Sequence, residues 1–172
     1  MKRQLFSRAL AGLLLVLCWI FTPQTVSAQS LVQYPSSFMA IFSFAGNRPD
    51  NLGVQNGQLA ACPASPNCVS SQASTTDKEH YVAPIAYEGA GTETLAKLKN
   101  LIEGLERTTI IESSNTYLYA EFASKLMGFV DDVEFFVDDS AKVIHVRSAS
   151  RLGQSDLGVN RQRIEDLRTQ FT

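Results

Sequence analysis

The sequence is short of the residues that most chemistry needs. Its 172 residues hold two histidines, three cysteines and one tryptophan. It contains no glycine-rich phosphate loop and no nucleophile elbow. No internal repeat or low-complexity tract is present. So few histidines and cysteines leave zinc without a ligand set, and no metal or cofactor is expected. Excess basic charge is missing too, with 15 Lys and Arg against 17 Asp and Glu. A nucleic-acid partner needs a basic footprint, so nucleic acid is not among the expected partners. Long apolar runs are absent except for one, at the very start.

That run spans Leu10 to Phe21 and follows Lys2, Arg3 and Arg8. It ends in Thr22-Pro23 and is followed by the small-residue exit Val26-Ser27-Ala28. This is the layout of a cleaved targeting segment over residues 1–28, and the run is short for a membrane span. Leu17 before Cys18 is too bulky for a lipid-attachment cut. A retained anchor is the alternative, so membrane contact is expected only through this segment if it stays uncleaved. Without residues 1–28 the chain carries 12 bases and 17 acids, a net charge of −5. The remaining length suits an irregular segment over 29–60 and a single domain over 61–172.

Cys62 and Cys68, in CPASPNC, are the cysteines left after cleavage. In an exported chain an isolated pair reads first as a disulfide, ahead of a free thiol or a metal site. The spacing is too wide for a CxxC redox motif. From Cys62 to Lys78 the composition is Ser, Pro, Asn, Gln and Thr, which predicts a loop. Asn56-Gly57 is turn chemistry, and Phe38–Phe44 is an apolar patch.

Tyr81–Tyr87 reads as a strand that Pro84 confines to an edge. Thr92 or Thr94 can cap a helix in which Leu95, Leu98, Ile102 and Leu105 make one apolar stripe. Four strands are expected at Thr108–Glu112, Tyr117–Ser124, Phe129–Val137 and Lys142–Ser150. A last helix carries Ile164, Leu167 and Phe171 on one side. The order is β-α-β-β-β-β-α. It implies an α+β fold, a curved antiparallel sheet of about five strands with both helices on one face.

The stretch FVDDVEFFVDDSAKVIHVRSASR carries charges where a half-buried hairpin would carry apolar residues. A turn over Asp138–Ala141 sets Val133 against Val146 and Phe135 against Ile144 on the core side. The same register sets Glu134 against His145 and Asp132 against Arg147 on the other side. Tyr119 and Glu121 join that polar side from the preceding strand, Phe136 shares it, and Arg151 extends it. One reading is a solvated sheet face. The other is a recess, because aromatics stand among the charges. The candidate ligand-binding residues are Tyr119, Glu121, Asp132, Glu134, His145, Arg147 and Arg151. Arg151, Asn160 and Arg161, near a helix N-terminus, suit a separate anion site; the alternative, of equal weight, is that the arginines of this stretch only tie the loop to Asp131, Asp132 and Glu134. Calcium does not suit Asp131, Asp132, Glu134, Asp138 and Asp139, because strand alternation splits them between faces.

CPASPNCVSSQA at 62–73, YVAPIAY at 81–87, YLYAEFASKLMGFVDDVEFFVD at 117–138 and VIHVRSASRLGQSDLGVNRQRIEDLR at 143–168 resemble one known family. It is the domain of unknown function 1499 family, and the resemblance covers about residues 52–171. It implies an exported or membrane-associated protein, in the periplasm or thylakoid lumen, with no assigned activity and no catalytic residue to carry over. The expected function is a non-enzymatic binding module for a small anionic or amphipathic ligand or an exported protein segment. The alternatives are an acid/base enzyme using Asp132, Glu134 and His145, and an assembly factor for an exported or photosynthetic complex acting through Phe38–Phe44.

Overall fold

The computed structural model describes residues 44–171. The expected targeting segment and Phe38–Ser43 of the apolar patch lie outside the described residues. Eight elements follow in the order β1 (Cys68–Ser70), β2 (Ile85–Ala86), α1 (Gly91–Glu103), β3 (Thr108–Ser113), β4 (Tyr117–Ala123), β5 (Val130–Asp138), β6 (Val143–Ser150) and α2 (Val159–Phe171). The named strands form one antiparallel sheet ordered β1-β6-β5-β4-β3, with β2 also paired to β6. The α+β class and the two helices are as expected; the sheet has six strands rather than about five.

The extra strand is β1, three residues inside the stretch that composition assigned to a loop. It and β2 share the outer edge of β6, Val69 facing Ser148 and Ile85 facing Ile144. Ser71 bridges the gap between them. Its N–H donates to the Val146 carbonyl at 2.9 Å, and its hydroxyl accepts the Val146 N–H at 2.9 Å. The strand expected over Tyr81–Tyr87 contracts to Ile85–Ala86, just after Pro84, which has no N–H to give to a ladder. Cys62 and Cys68 are joined, their Cα atoms 5.6 Å apart. Closing so small a ring is worth roughly 2 kcal/mol in the loop-entropy account.

Both helices bury their stripes on one sheet face. Leu95, Leu98 and Ile102 of α1 and Ile164 and Leu167 of α2 form one core with Leu118, Val133, Phe135, Ile144 and Val146. Neither Thr92 nor Thr94 caps α1, whose N-cap is Ala90; the Thr94 hydroxyl instead donates to the Ala90 carbonyl at 2.9 Å. The helix starts hard against β5. A Cβ on Gly91 would sit 2.5 Å from a Val137 methyl, so a side chain there would overpack the junction.

The β5–β6 turn corrects the expected register. Asp138 pairs with Val143, and the loop comprises residues 139–142. The Asp138 carboxylate accepts the N–H groups of Ser140 and Ala141, each at 3.0 Å, and Lys142 closes the turn with φ +54°. The pairing is therefore displaced by two residues. Val133 faces Ser148, Phe135 faces Val146, Glu134 faces Arg147, Phe136 faces His145 and Asp132 faces Ala149. Side chains alternate with period two, so a two-residue shift changes partners and leaves every residue on its expected face.

Candidate functional site

The face opposite the helices is not open to solvent. Residues 47–61 cross it as a strap, folded back on itself by the Gln55–Gln58 bridge around Asn56 and Gly57, both at positive φ. Leu52, Val54 and Leu59 of the strap pack with Tyr117, Tyr119, Ile111 and Phe136 of the sheet. Under this cover Glu134 is 0 % exposed and Asp132 1 % exposed. Carboxylates at such depth survive only with donors around them.

Each has them. Glu134 accepts the Tyr117 hydroxyl at 2.8 Å, the Gly53 N–H of the strap at 2.7 Å and Arg147 Nη1 at 3.3 Å. Asp132 accepts the Tyr119 hydroxyl at 2.5 Å and takes Arg151 through Nε at 2.9 Å and Nη2 at 2.7 Å. Arg151 also bonds Glu121, which Arg48 of the strap reaches at 2.5 Å. Burial pushes the Tyr117 and Tyr119 hydroxyls well above the ordinary tyrosine value, and the neighbouring carboxylates add to the effect. The hydrogen bond to Asp132 leads the causes that raise Arg151. Burial alone would raise Glu121, but the bonds from Arg48 and Arg151 outweigh it and hold that carboxyl low.

Arg147 is the exception. It is 5 % exposed, and its only bond among the described residues is the long one to Glu134. Its Nε is buried with no acceptor among the described residues. Arg147 lines a cleft of about 320 Å³, together with Asn47 and Asn51 of the strap, Pro63 of the disulfide loop, Asp132 and Ala149. A larger cleft, about 880 Å³, lies elsewhere between α1, α2 and the β5–β6 turn and shares none of these residues.

Six of the seven expected site residues line up around the strap-covered network or its cleft. His145 is displaced along the strand. It stacks on Phe136 at 6.3 Å, its Nδ1 is 3.1 Å from the Ser71 hydroxyl, and Asp138 lies 4.0 Å from Nε2. The expected pairs Glu134–His145 and Asp132–Arg147 are thus replaced by Glu134–Arg147 and Asp132–Arg151. Asp132, Glu134 and His145 do not converge as an acid–base group.

The expected anion site is also not assembled. Arg151 lies on the strap side. Asn160 packs on the helix side, accepting the Ser148 hydroxyl at 2.5 Å and donating to the Ser150 hydroxyl at 3.0 Å. Arg161 donates to the carbonyls of Tyr81 and Glu79 at 2.7 and 2.9 Å, so it ties down a loop. The α2 N-terminus already holds an anion of its own, Asp156, which accepts the Asn160 N–H at 2.8 Å. Asp131 points to the helix side and pairs with Arg163 at 2.5 Å. Tyr117 and the strap residues Arg48 and Gly53 were not singled out in the sequence. Alternation along β4 puts Tyr117 beside Tyr119, a signal that could have found it; a backbone N–H such as that of Gly53 leaves no trace in residue type.

The two histidines predict opposite pH responses. The bond that His80 Nδ1 donates to the Asp77 carboxylate at 2.8 Å raises His80, and the Ser65 carbonyl assists. Its contribution is complete below the ordinary value of 6.5 and is lost as pH rises through the folded value. Desolvation lowers His145, and Asp138 offsets this only in part. Its contribution is present above 6.5 and is lost as pH falls through the lowered folded value. Denaturant midpoints should show His80→Gln destabilising more at about pH 5.5 than at about pH 8.5, and His145→Gln the reverse. The same sign for both variants would contradict these environments.

No helix among the described residues is long and apolar enough to cross a membrane. The Cys62–Cys68 disulfide is consistent with an oxidising, extracytoplasmic location. Residues 58–171, about two thirds of the chain, match the family model described as a protein of unknown function, DUF1499. No curated protein and no solved structure matches the chain.

Proposed function

We propose, for a chain that belongs to the DUF1499 family and takes no assigned activity from it, that it is an exported, non-catalytic binding module. Its ligand, a small molecule or a segment of an exported protein, occupies the cleft between the strap and β6. The supporting observation is Arg147, a buried guanidinium lining a cleft of about 320 Å³ while its Nε has no acceptor among the described residues. Native structures rarely leave a buried donor unmatched, and a bound ligand is one way to satisfy it. The other charges of the network are matched one to one, Asp132 and Glu121 by Arg151 and Arg48, so they shape the site rather than act chemically. The targeting segment and the disulfide support delivery to the periplasm or thylakoid lumen.

Native mass spectrometry of protein purified from its own compartment tests this. The expected result is a mass above that of the chain, lost on partial unfolding and lost in Arg147→Ala. A bare chain in that compartment, or a retained adduct in Arg147→Ala, would remove the reading.

A further inference from the structure

The geometry points to a monocarboxylate as the ligand of this cleft, an inference that rests on the binding reading above. A guanidinium offers two usable edges. Arg147 spends Nη1 on Glu134, leaving the edge formed by Nε and Nη2 without a partner among the described residues. That edge presents two parallel N–H groups, the arrangement that takes both oxygens of a planar carboxylate. A lysine ammonium, a point charge without this fork, would not substitute for it.

Charge sets the limit on the anion. Glu121, Asp132 and Glu134 are balanced by Arg48, Arg147 and Arg151. The site thus has no surplus positive charge for a dianion, and Asp132 lines the same cleft. With the charges already balanced, a carboxylate leaves the site one charge negative and a phosphate dianion leaves it two, beside Asp132. The single charge spread over two oxygens is therefore the lesser cost. Asn47, Asn51 and Ser150 provide polar wall and Ala61, Pro63 and Ala149 apolar wall, so the body of the ligand is small and meets both kinds of surface.

The probes are benzoate, benzamide and inorganic phosphate, titrated into the full mature protein with its disulfide intact. The readout is the Arg147 Nε–Hε resonance in wild type, which needs no variant to fold. Benzoate should move that resonance downfield and slow its exchange with water. Benzamide, the neutral isostere, should bind at least about tenfold more weakly, and phosphate should not compete. Arg147→Lys, with its fold checked by thermal melting, should lose about tenfold or more in benzoate affinity.

Equal binding of benzamide and benzoate would overturn the carboxylate assignment, as would displacement by phosphate or an Arg147 resonance that ignores benzoate. These failures leave the binding reading to its own test. A neutral ligand found by native mass spectrometry, together with no benzoate response, would sink this inference alone. A bare chain would sink both.

Discussion

Glu134→Ala is expected to lower folding stability by about 3–5 kcal/mol. Glu134 is fully buried, and three donors converge on it from three places in the chain: Tyr117, Gly53 and Arg147. Removing the carboxylate strands Arg147, already short of acceptors, as an uncompensated charge at 5 % exposure. That penalty, rather than the net worth of the pair, dominates the loss. The double variant Glu134→Leu/Arg147→Met should therefore be more stable than Glu134→Ala alone, because it removes the stranded charge and fills the space. Urea unfolding at neutral pH measures all three proteins. A double variant no better than the single one would mean that the lost bonds to Tyr117 and Gly53 carry the cost.

Phe135→Ala, one residue along, should be as damaging for an unrelated reason. Phe135 is 0 % exposed and faces Val146 of β6 and Leu118 of β4, under both helices. Truncation leaves a cavity among Leu, Val and Ile side chains, at an expected cost of about 3–5 kcal/mol. No charge is stranded, so Arg147→Met should not rescue it. Neighbouring positions on one strand thus give losses of similar size, one reversible by a second substitution and one not. A Phe135→Ala loss under about 1 kcal/mol would mean that the core collapses around the gap, contrary to the interdigitation seen here.

These two residues also show how far the sequence could be read. The faces were legible: Phe135, Val133, Val146 and Ile144 alternate with Glu134, Asp132, His145 and Arg147, and period two sorts them whatever the pairing. The pairs were not legible, because pairing depends on where the turn ends. It ends at Lys142, in a left-handed conformation that a lysine does not announce and that the Asp138 carboxylate helps to impose. The two helices were legible from their stripes, although Leu105, counted in the first stripe, lies past the end of α1. β1 was not, since Cys-Val-Ser amid Ser, Asn and Gln has too little periodicity to register.

The candidate site was half legible for the same reasons. Residue type and alternation placed Tyr119, Glu121, Asp132, Glu134 and Arg147 on one side. Nothing in residue type showed that residues 47–61 return to cover them, because that segment contributes a backbone N–H at Gly53 and scattered apolar contacts. The same gap explains the anion site. Asn160 and Arg161 share a stretch with Arg151, but the sheet lies between them, and proximity in sequence misled.

One feature of the sheet bears on how copies of the protein meet one another. β1, Ser71 and β2 together occupy the outer side of β6 as short edge strands, and among the described residues β3 forms the opposite border. There the pairing with β4 slips between Ile110 and Glu112. A bulge bends and twists a border strand, and Glu112 adds a charge just past it. A second chain laying its own ribbon along β3 would lose step after three residues, which disfavours edge-to-edge stacking of copies along that border.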